Sequence, residues 1–180
     1  MQQLTQKLSD GEMIVQEVPA PVAGKGILLI TNYYSVVSTG TEGSTVTAAR
    51  KSLIGKAKEK PQQVKQVLDV IAQQGPVQAY RAVTKKLEAY SPLGYSSAGK
   101  VIVVGEGVTN FKEGDLVACA GAGYANHAEI IAVPVNLSVK LEINADLKKA
   151  AYNTLGAIAM QSVRQADLRL GESCAVIGLG

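Results

Sequence analysis

The sequence predicts a mainly β domain of the α+β class, a small and partly open barrel with a helical segment inserted into it. Two observations predict this fold. Short apolar segments recur at intervals of about ten residues and are separated by glycine turns, as in small barrels. These segments are 13–18, 27–35, 100–105, 115–120 and 128–133. In the middle of the chain glycine becomes scarce, and apolar residues take the spacing of a helix.

The first two strands are bounded by residues that interrupt a sheet. Pro19 and Pro21 follow the strand at 13–18 and cannot donate a hydrogen bond to a neighbouring strand. The strand at 27–35 is apolar and aromatic enough to be buried. The glycine-rich stretch at 38–44 then predicts a loop that opens a helix.

Two helices are predicted within the insertion, at 62–71 and 76–88. Pro61 suits the first turn of the first helix, and Gly75 suits its C-terminal cap. Each helix carries one apolar stripe, which we interpret as ordinary core packing. The stripes comprise Val64, Val67, Leu68 and Ile71 in the first helix, and Val77, Tyr80, Val83 and Leu87 in the second.

The C-terminal part is predicted to hold one more helix and one more strand. The helix spans 145–165, with Asp146 near the positive end of its dipole. The strand at 173–178 is apolar and runs into glycines. Without a neighbouring strand its backbone groups would be unpaired, so it should fray or pair with a second copy and give a homodimer.

Composition limits the class of protein. With 47% hydrophobic and 18% charged residues, the chain has the balance of a globular protein rather than a disordered one. It has no apolar run of about 18 residues, so no membrane span is expected. The polar N-terminus lacks the apolar core of a secretory signal. Cys119 and Cys174 lack metal-type spacing and would form only one bridge, which favours a reducing cytoplasm.

The net charge of +3 conceals an uneven distribution. Residues 44–92 carry a net charge of +6 and the remainder carries −3. Either the insertion faces an acidic partner, or its charges are solvated helix faces. Nucleic-acid binding is not expected, because the insertion has few aromatic residues for stacking and no recognised nucleic-acid motif.

Three stretches together resemble the medium-chain dehydrogenase/reductase family, whose best-known members are zinc alcohol dehydrogenases. Residues 93–108 match a glycine-containing run, a valine strand and a Gly-x-Gly-Val turn. Residues 111–117 match the family's Gly-Asp-x-Val turn. Residues 150–180 match a helix followed by Leu-Gly-Glu and an apolar strand that ends in Gly-x-Gly. The resemblance covers about 11–44 and 93–180.

This resemblance implies two domains. A GroES-like barrel that holds the substrate would occupy 1–145, with the helical insertion at about 45–92. Residues 146–180 would be a linking helix and the start of a truncated Rossmann domain. Gly178 and Gly180 would open its glycine loop for NAD or NADP in the full-length protein. The parent protein would be a dehydrogenase or reductase, and the fragment alone is predicted to be inactive.

The resemblance also implies that the family's catalytic zinc is missing. Its pattern places Thr39 at the first cysteine, Tyr95 at the histidine, Ser96 at the neighbouring glutamate and Thr154 at the last cysteine. Zinc prefers thiolate, imidazole or carboxylate ligands, and neutral hydroxyls bind it poorly. We therefore expect no zinc at this site.

Four residues are candidates for the catalytic chemistry in place of the metal: Thr39, Glu42, Tyr95 and His127. Tyr95 could take a proton through its phenol if its pKa is lowered. His127 is the single histidine and could act as a base or proton shuttle, although a lone histidine is more often structural. Glu42 would orient the substrate or pair with a basic residue of the insertion.

Residues 33–42 and 118–129 look like a zinc-lacking subgroup in which the dehydrogenase half is fused to a second oxidoreductase module. That subgroup is associated with bacterial polysaccharide biosynthesis, so the small-molecule substrate would be an alcohol, a sugar or a nucleotide sugar. The basic insertion, with Lys85 and Lys86, would meet its phosphates. Alternatively, the chain is a non-catalytic binding or assembly module derived from a dehydrogenase.

Overall fold

A five-stranded antiparallel sheet, curled into a half-barrel, is the main element of the fold. The computed structural model describes residues 1–49 and 61–177. In spatial order the strands of this sheet are β7 (Ile130–Pro134), β3 (Ile27–Ser35), β5 (Ser96–Val104), β6 (Leu116–Ala120) and β8 (Ser138–Lys140). The open half-barrel confirms the predicted fold class.

A second antiparallel sheet holds the N-terminus against the half-barrel. Its strands, in spatial order, are β2 (Met13–Glu17), β1 (Gln2–Lys7) and β4 (Tyr90–Pro92). The sequence does not indicate β1, because this segment is mostly polar. It forms a strand because it pairs with β2 along one edge and with β4 along the other.

The core takes one set of alternating side chains from four strands. Successive side chains of a strand point to opposite faces, so every second residue of β3, β5, β6 and β7 can reach the same interior. The fully or nearly fully buried cluster comprises Leu28, Ile30, Val101, Val117, Cys119, Ala125, Ile131 and Val133. The half-buried Phe111 and Leu137 pack against it. Burial of this apolar surface stabilises the half-barrel.

Five helices are described: α1 (Thr39–Ala49), α2 (Pro61–Gln74), α3 (Pro76–Glu88), α4 (Leu147–Ala150) and α5 (Asn153–Gln165). The two predicted helices of the insertion are confirmed as α2 and α3. Between them, the Gly75 N–H donates to the Ile71 carbonyl at 2.9 Å and ends α2. None of the described helices has the length and apolarity needed to span a bilayer.

The predicted core packing of the insertion is wrong for part of the α3 stripe. Val77 and Tyr80 are 63% and 72% exposed. The two helices pack mainly against each other, and this part of the stripe stays largely exposed to solvent. The side chains of Val67 and Leu68 lie outside the described part of the structure.

Two predicted boundaries are also wrong. The stretch at 38–44 is not a loop, because α1 begins at Thr39 and its first turn is capped from within. The helix predicted at 145–165 is divided at Ala151 and Tyr152 into α4 and α5. Asp146 caps α4, accepting hydrogen bonds from the Lys148 and Lys149 N–H groups at 3.0 and 3.3 Å.

The strand predicted at 173–178 is not formed, since residues 172–177 carry neither helix nor strand. A strand needs a neighbour that completes its hydrogen bonds. No described strand lies beside this segment to supply them. Residue 178 lies outside the described residues.

Gly99 tests how closely β3 and β5 must approach. A Cβ atom at this position would overlap the Thr31 carbonyl oxygen and lie 2.9 Å from Cγ2 of Ile30. We expect Gly99→Ala to lower the free energy of unfolding by roughly 3 kcal/mol, because neither backbone can yield. The matched control is Gly156→Ala in α5, where a Cβ meets nothing within 4 Å. Denaturant unfolding of both variants measures the difference, and equal stability would contradict the close approach.

Candidate active site around His127

His127 is fixed by its backbone before its side chain makes any contact. It lies between β6 and β7, and its N–H donates to the Leu93 carbonyl at 2.8 Å. Its own carbonyl accepts from the Leu4 N–H, also at 2.8 Å. The loop is therefore tied to β1 and to the segment that precedes β5, which sets the position of the imidazole.

Gly94 leaves the space that the imidazole needs. This glycine has a φ of +98°, and a Cβ added there would lie 2.7 Å from the His127 nitrogen and 3.0 Å from its Cε1. Any other residue would be strained by the backbone conformation and would collide with His127. Gly94 therefore leaves room for the backbone and imidazole of His127.

The imidazole of His127 bridges two side chains that are distant in sequence. Its Nδ1 lies 2.8 Å from Ser35 Oγ at the end of β3, and its Nε2 lies 2.9 Å from Glu42 Oε2 on α1. The His127 and Glu42 side chains are only 8% and 11% exposed. A carboxylate only accepts hydrogen bonds, so the Nε2–H donates to Glu42, and in the neutral imidazole Nδ1 then accepts from the Ser35 hydroxyl.

Glu42 is oriented by the helix that carries it. Its Oε1 accepts from the Ser38 N–H at 2.9 Å, and its own N–H donates to the Ser38 carbonyl at 2.8 Å. The pair closes the first turn of α1 in the manner of a capping box. One carboxylate oxygen thus begins the helix while the other holds the histidine.

Asn32 supports the same loop from the adjacent strand. Its side-chain amide donates to the Asn126 and Ala128 carbonyls at 3.0 and 3.1 Å, on either side of His127. Its Oδ1 is buried and has no hydrogen-bond partner among the residues that the structure describes. A buried acceptor without a partner is costly unless water or a ligand satisfies it.

A cleft of about 280 Å³ opens beside this network. Its wall includes Tyr33, Tyr34 and Ser35 from β3, together with His127 and Glu129. Glu129 is itself held, because its Oε2 accepts from the Gln2 N–H at 2.8 Å. The Ser35–His127–Glu42 hydrogen-bond chain therefore begins at the cleft wall and ends inside the protein.

Ser96 and Thr154, which the sequence resemblance places at metal-ligand positions, bond to the backbone through their hydroxyls. Ser96 Oγ donates to the Ala151 carbonyl at 2.6 Å and accepts from the Thr154 N–H at 3.2 Å. Thr154 Oγ1 donates to the Tyr95 carbonyl at 3.1 Å. These bonds fasten the start of β5 to the break between α4 and α5, where the side-chain amide of Asn153 adds three further bonds to backbone carbonyls.

The structure places two of the four predicted catalytic residues in contact with each other and the other two elsewhere. Glu42 and His127 are in direct contact. Tyr95 is half-buried, and its carbonyl accepts from the Gly121 N–H at 2.9 Å. Thr39 is exposed at the start of α1. Ser35 was not predicted, because a serine at the end of a strand is too common to be distinctive.

The described residues offer no obvious place for zinc. They contain no group of three or more His, Cys, Asp or Glu side chains that could hold a metal ion. Burial raises the pKa of the Cys119 thiol to about 12, so it is a neutral core group rather than a thiolate ligand. The predicted cofactor-binding residues Gly178 and Gly180 lie outside the described residues.

Comparison with known proteins identifies the fold. No protein-family model matches the chain. It is 29% identical over 112 residues to (R,R)-butanediol dehydrogenase from Bacillus subtilis, a match that covers 49% of this chain and 32% of that protein. The structure superposes on the quinone oxidoreductase from Coxiella burnetii with a TM-score of 0.66 at 18% identity, covering 96% of this chain and 47% of that one. This is the fold of the medium-chain dehydrogenase/reductase GroES-like domain.

A third comparison concerns a protein solved with a cofactor. The Escherichia coli quinone oxidoreductase complexed with NADPH matches with a TM-score of 0.60 at 13% identity, covering 94% of this chain and 42% of that one. The chain thus spans less than half the length of the proteins that it matches. At these identities the structural likeness establishes the fold alone.

Ser96 tests the fastening of β5 to the helices. Both Ser96 and Ser97 are fully buried, but only Ser96 Oγ has partners, while Ser97 Oγ has none. We expect Ser96→Ala to lower the free energy of unfolding by about 1–3 kcal/mol, because a buried carbonyl and N–H lose their partner. Ser97→Ala should be neutral or stabilising, and denaturant unfolding compares the two. Equal effects would show that the Ser96 bonds contribute nothing.

Glu42→Gln tests which nitrogen of His127 carries the proton. The Ser38 N–H needs an acceptor, so the amide oxygen of the variant side chain faces Ser38 and its NH₂ group faces Nε2 of His127. We therefore expect the proton to move from Nε2 to Nδ1. Because the chain has one histidine, a ¹⁵N-edited spectrum of its imidazole reports this directly. Glu113→Gln, on the exposed turn before β6, is the control. An unchanged tautomer in Glu42→Gln would refute the assigned hydrogen bonds.

Proposed function

We propose that this chain is the substrate-side domain of an NAD(P)-dependent oxidoreductase that works without catalytic zinc. Two findings support the oxidoreductase assignment. The fold is that of dehydrogenases and quinone oxidoreductases, and one of the matching proteins was solved with NADPH. In this proposal the nicotinamide, held by a separate cofactor-binding domain, exchanges the hydride. Every other step belongs to residues of this chain.

The Ser35–His127–Glu42 chain is the observation that carries the proposal. A substrate hydroxyl in the cleft would hydrogen-bond to Ser35 Oγ, whose own proton points to Nδ1 of His127. As the substrate loses its proton to Ser35, the Ser35 proton moves to Nδ1 and the imidazole becomes positively charged. Glu42 Oε2, 2.9 Å from Nε2, stabilises that charge. In hydrolases too, a histidine that is oriented by a carboxylate takes the proton of a serine.

The hydroxyls that the resemblance places at metal-ligand positions support a site that works without zinc. Ser96 and Thr154 use their hydroxyls to bond backbone groups, so these oxygens are not directed at a shared ion. Tyr95 remains the second candidate for proton transfer, since it stands at the family's histidine position. Thr39 and Tyr95 would then line the substrate rather than bind a metal.

The finer assignments rest on sequence resemblance. The substrate would be an alcohol, a sugar or a nucleotide sugar, used in bacterial polysaccharide biosynthesis in the cytoplasm. Gly178 and Gly180 would open the loop that receives NAD or NADP. Association into a homodimer belongs to the same proposal.

A second function, that of a non-catalytic assembly module, is favoured by one surface. Helix α5 exposes Ile158, Met160 and Val163, each to 58%. Exposed apolar side chains along one helix mark a surface that another domain or protein covers. This surface would also meet a cofactor-binding domain, so it does not by itself require a partner protein.

Turnover in the protein that joins this chain to a cofactor-binding domain separates the two functions. With NAD(P)⁺ and a panel of alcohol and sugar substrates, we expect oxidation that resists removal of zinc by a chelator. Glu42→Gln should lower kcat by at least about 100-fold, because Nδ1 then carries a proton and cannot accept another. His127→Ala should do the same, and Glu113→Gln should not.

Four outcomes would decide against the proposal or part of it. Loss of activity on chelation would show that the site requires a metal. Full turnover in both His127→Ala and Glu42→Gln would show that His127 is not the base. A loss of activity confined to Tyr95→Phe would show that Tyr95 transfers the proton instead. No turnover with any substrate would favour the assembly module.

A further inference from the structure

A β-bulge in β3 directs two tyrosines into the same cleft. The strand pairs Asn32 with Gly99 and Tyr34 with Ala98, so Tyr33 is an extra residue without a partner on β5. In a regular strand neighbouring side chains would point to opposite faces. A bulge re-aims a side chain, and bulges are frequent beside functional sites. Here both tyrosines line the cleft.

These two tyrosines remain accessible to a ligand. Tyr33 is 53% exposed and Tyr34 is 47% exposed. An aromatic face packs well against the C–H groups of a sugar ring or polyol chain, and the phenol edge can bond to its hydroxyls. The pair therefore offers an aromatic platform in a cleft that also contains polar side chains.

The remaining polar groups of the cleft suit hydroxyl groups. Gln3 and Ser35 carry groups that donate or accept hydrogen bonds. A hydroxyl group, which donates and accepts, complements both.

The charge of the described part of the cleft disfavours an anionic ligand. Among the described residues that line it there is no lysine or arginine, and Glu129 contributes a carboxylate. A phosphate among these residues would lose water without gaining a cation and would be repelled by Glu129. Lys65, Arg81 and Lys85 of the insertion, whose side chains are described, do not line this cleft.

We propose that the cleft beside His127 binds a neutral polyhydroxylated compound, a saccharide or a sugar alcohol, through the Tyr33–Tyr34 pair. This inference deepens the proposed function, because the ligand would be the substrate whose hydroxyl meets Ser35. It narrows the substrate class to uncharged compounds at this position. Binding is nevertheless measured on this chain without turnover, so it can fail or succeed independently of the oxidoreductase assignment.

The experiment titrates the 180-residue chain with four probes, followed by saturation-transfer difference NMR. D-Glucose and D-galactose are neutral rings, D-sorbitol is a neutral chain, and D-glucose 6-phosphate is an anionic ring. We expect at least one neutral probe to bind more tightly than the phosphate. A preference for the hexoses would identify a saccharide site, and a preference for sorbitol would identify a sugar-alcohol site.

Variants then test whether the tyrosines hold the ligand. We expect Tyr33→Ala and Tyr34→Ala each to weaken binding by about threefold to tenfold, and Tyr33→Phe to retain most of it. Tyr80→Ala, which removes an exposed tyrosine of α3 away from the cleft, should change nothing. The NMR spectrum of each variant verifies its fold.

Several results would overturn the inference. These are the absence of binding by every neutral probe, tighter binding of glucose 6-phosphate, or neutral binding that neither tyrosine variant affects. Turnover of the kind proposed above, combined with no neutral binding at this cleft, would dismiss this inference alone. Tyrosine-dependent binding without any turnover would dismiss the oxidoreductase and leave a saccharide-binding module.

Discussion

The imidazole of His127 is the contact on which the rest of the site depends. It joins residues that are 92 and 85 positions away in sequence, at the end of β3 and in the first turn of α1. Hydrogen bonds to a charged partner contribute about 1.5–3 kcal/mol each when buried. The ring therefore holds the helix, the strand and the loop before β7 in one arrangement. A group held so firmly is also suited to chemistry, because its proton has a defined position.

Ser96 and Thr154 stand where the sequence resemblance places metal ligands of zinc alcohol dehydrogenases. Their hydroxyls bond the backbone at the start of β5 to that of the helices. Such bonds are short and directional, and in a buried site they are satisfied from within the protein. These two residues therefore stabilise the domain, and the chemistry that we propose depends on His127 instead.

The described charges of the insertion lie apart from the cleft. Lys65, Arg81 and Lys85 are exposed on α2 and α3 and do not line the cleft, whose wall includes Tyr33 and Tyr34. The two helices pack mainly against each other, which favours the interpretation of these three charges as solvated. For the ligand that we propose, specificity at the cleft would rest on hydroxyl geometry and ring stacking.

The sequence by itself determined the elements whose signals are local. Prolines and glycines mark the strands β2 and β3 and the helices α2 and α3, and the turn motifs indicate the family fold. The sequence also identified Glu42 and His127 as candidate site residues, but it did not predict a contact between them. Only the tertiary structure decided that they touch, that Ser35 completes the chain, and that a bulge turns Tyr33 into the cleft. Those facts depend on strand register and on residues brought together across the fold. The same reason explains β1, a polar segment that becomes a strand because two neighbours pair with it, and the segment at 173–177, which has no such neighbour.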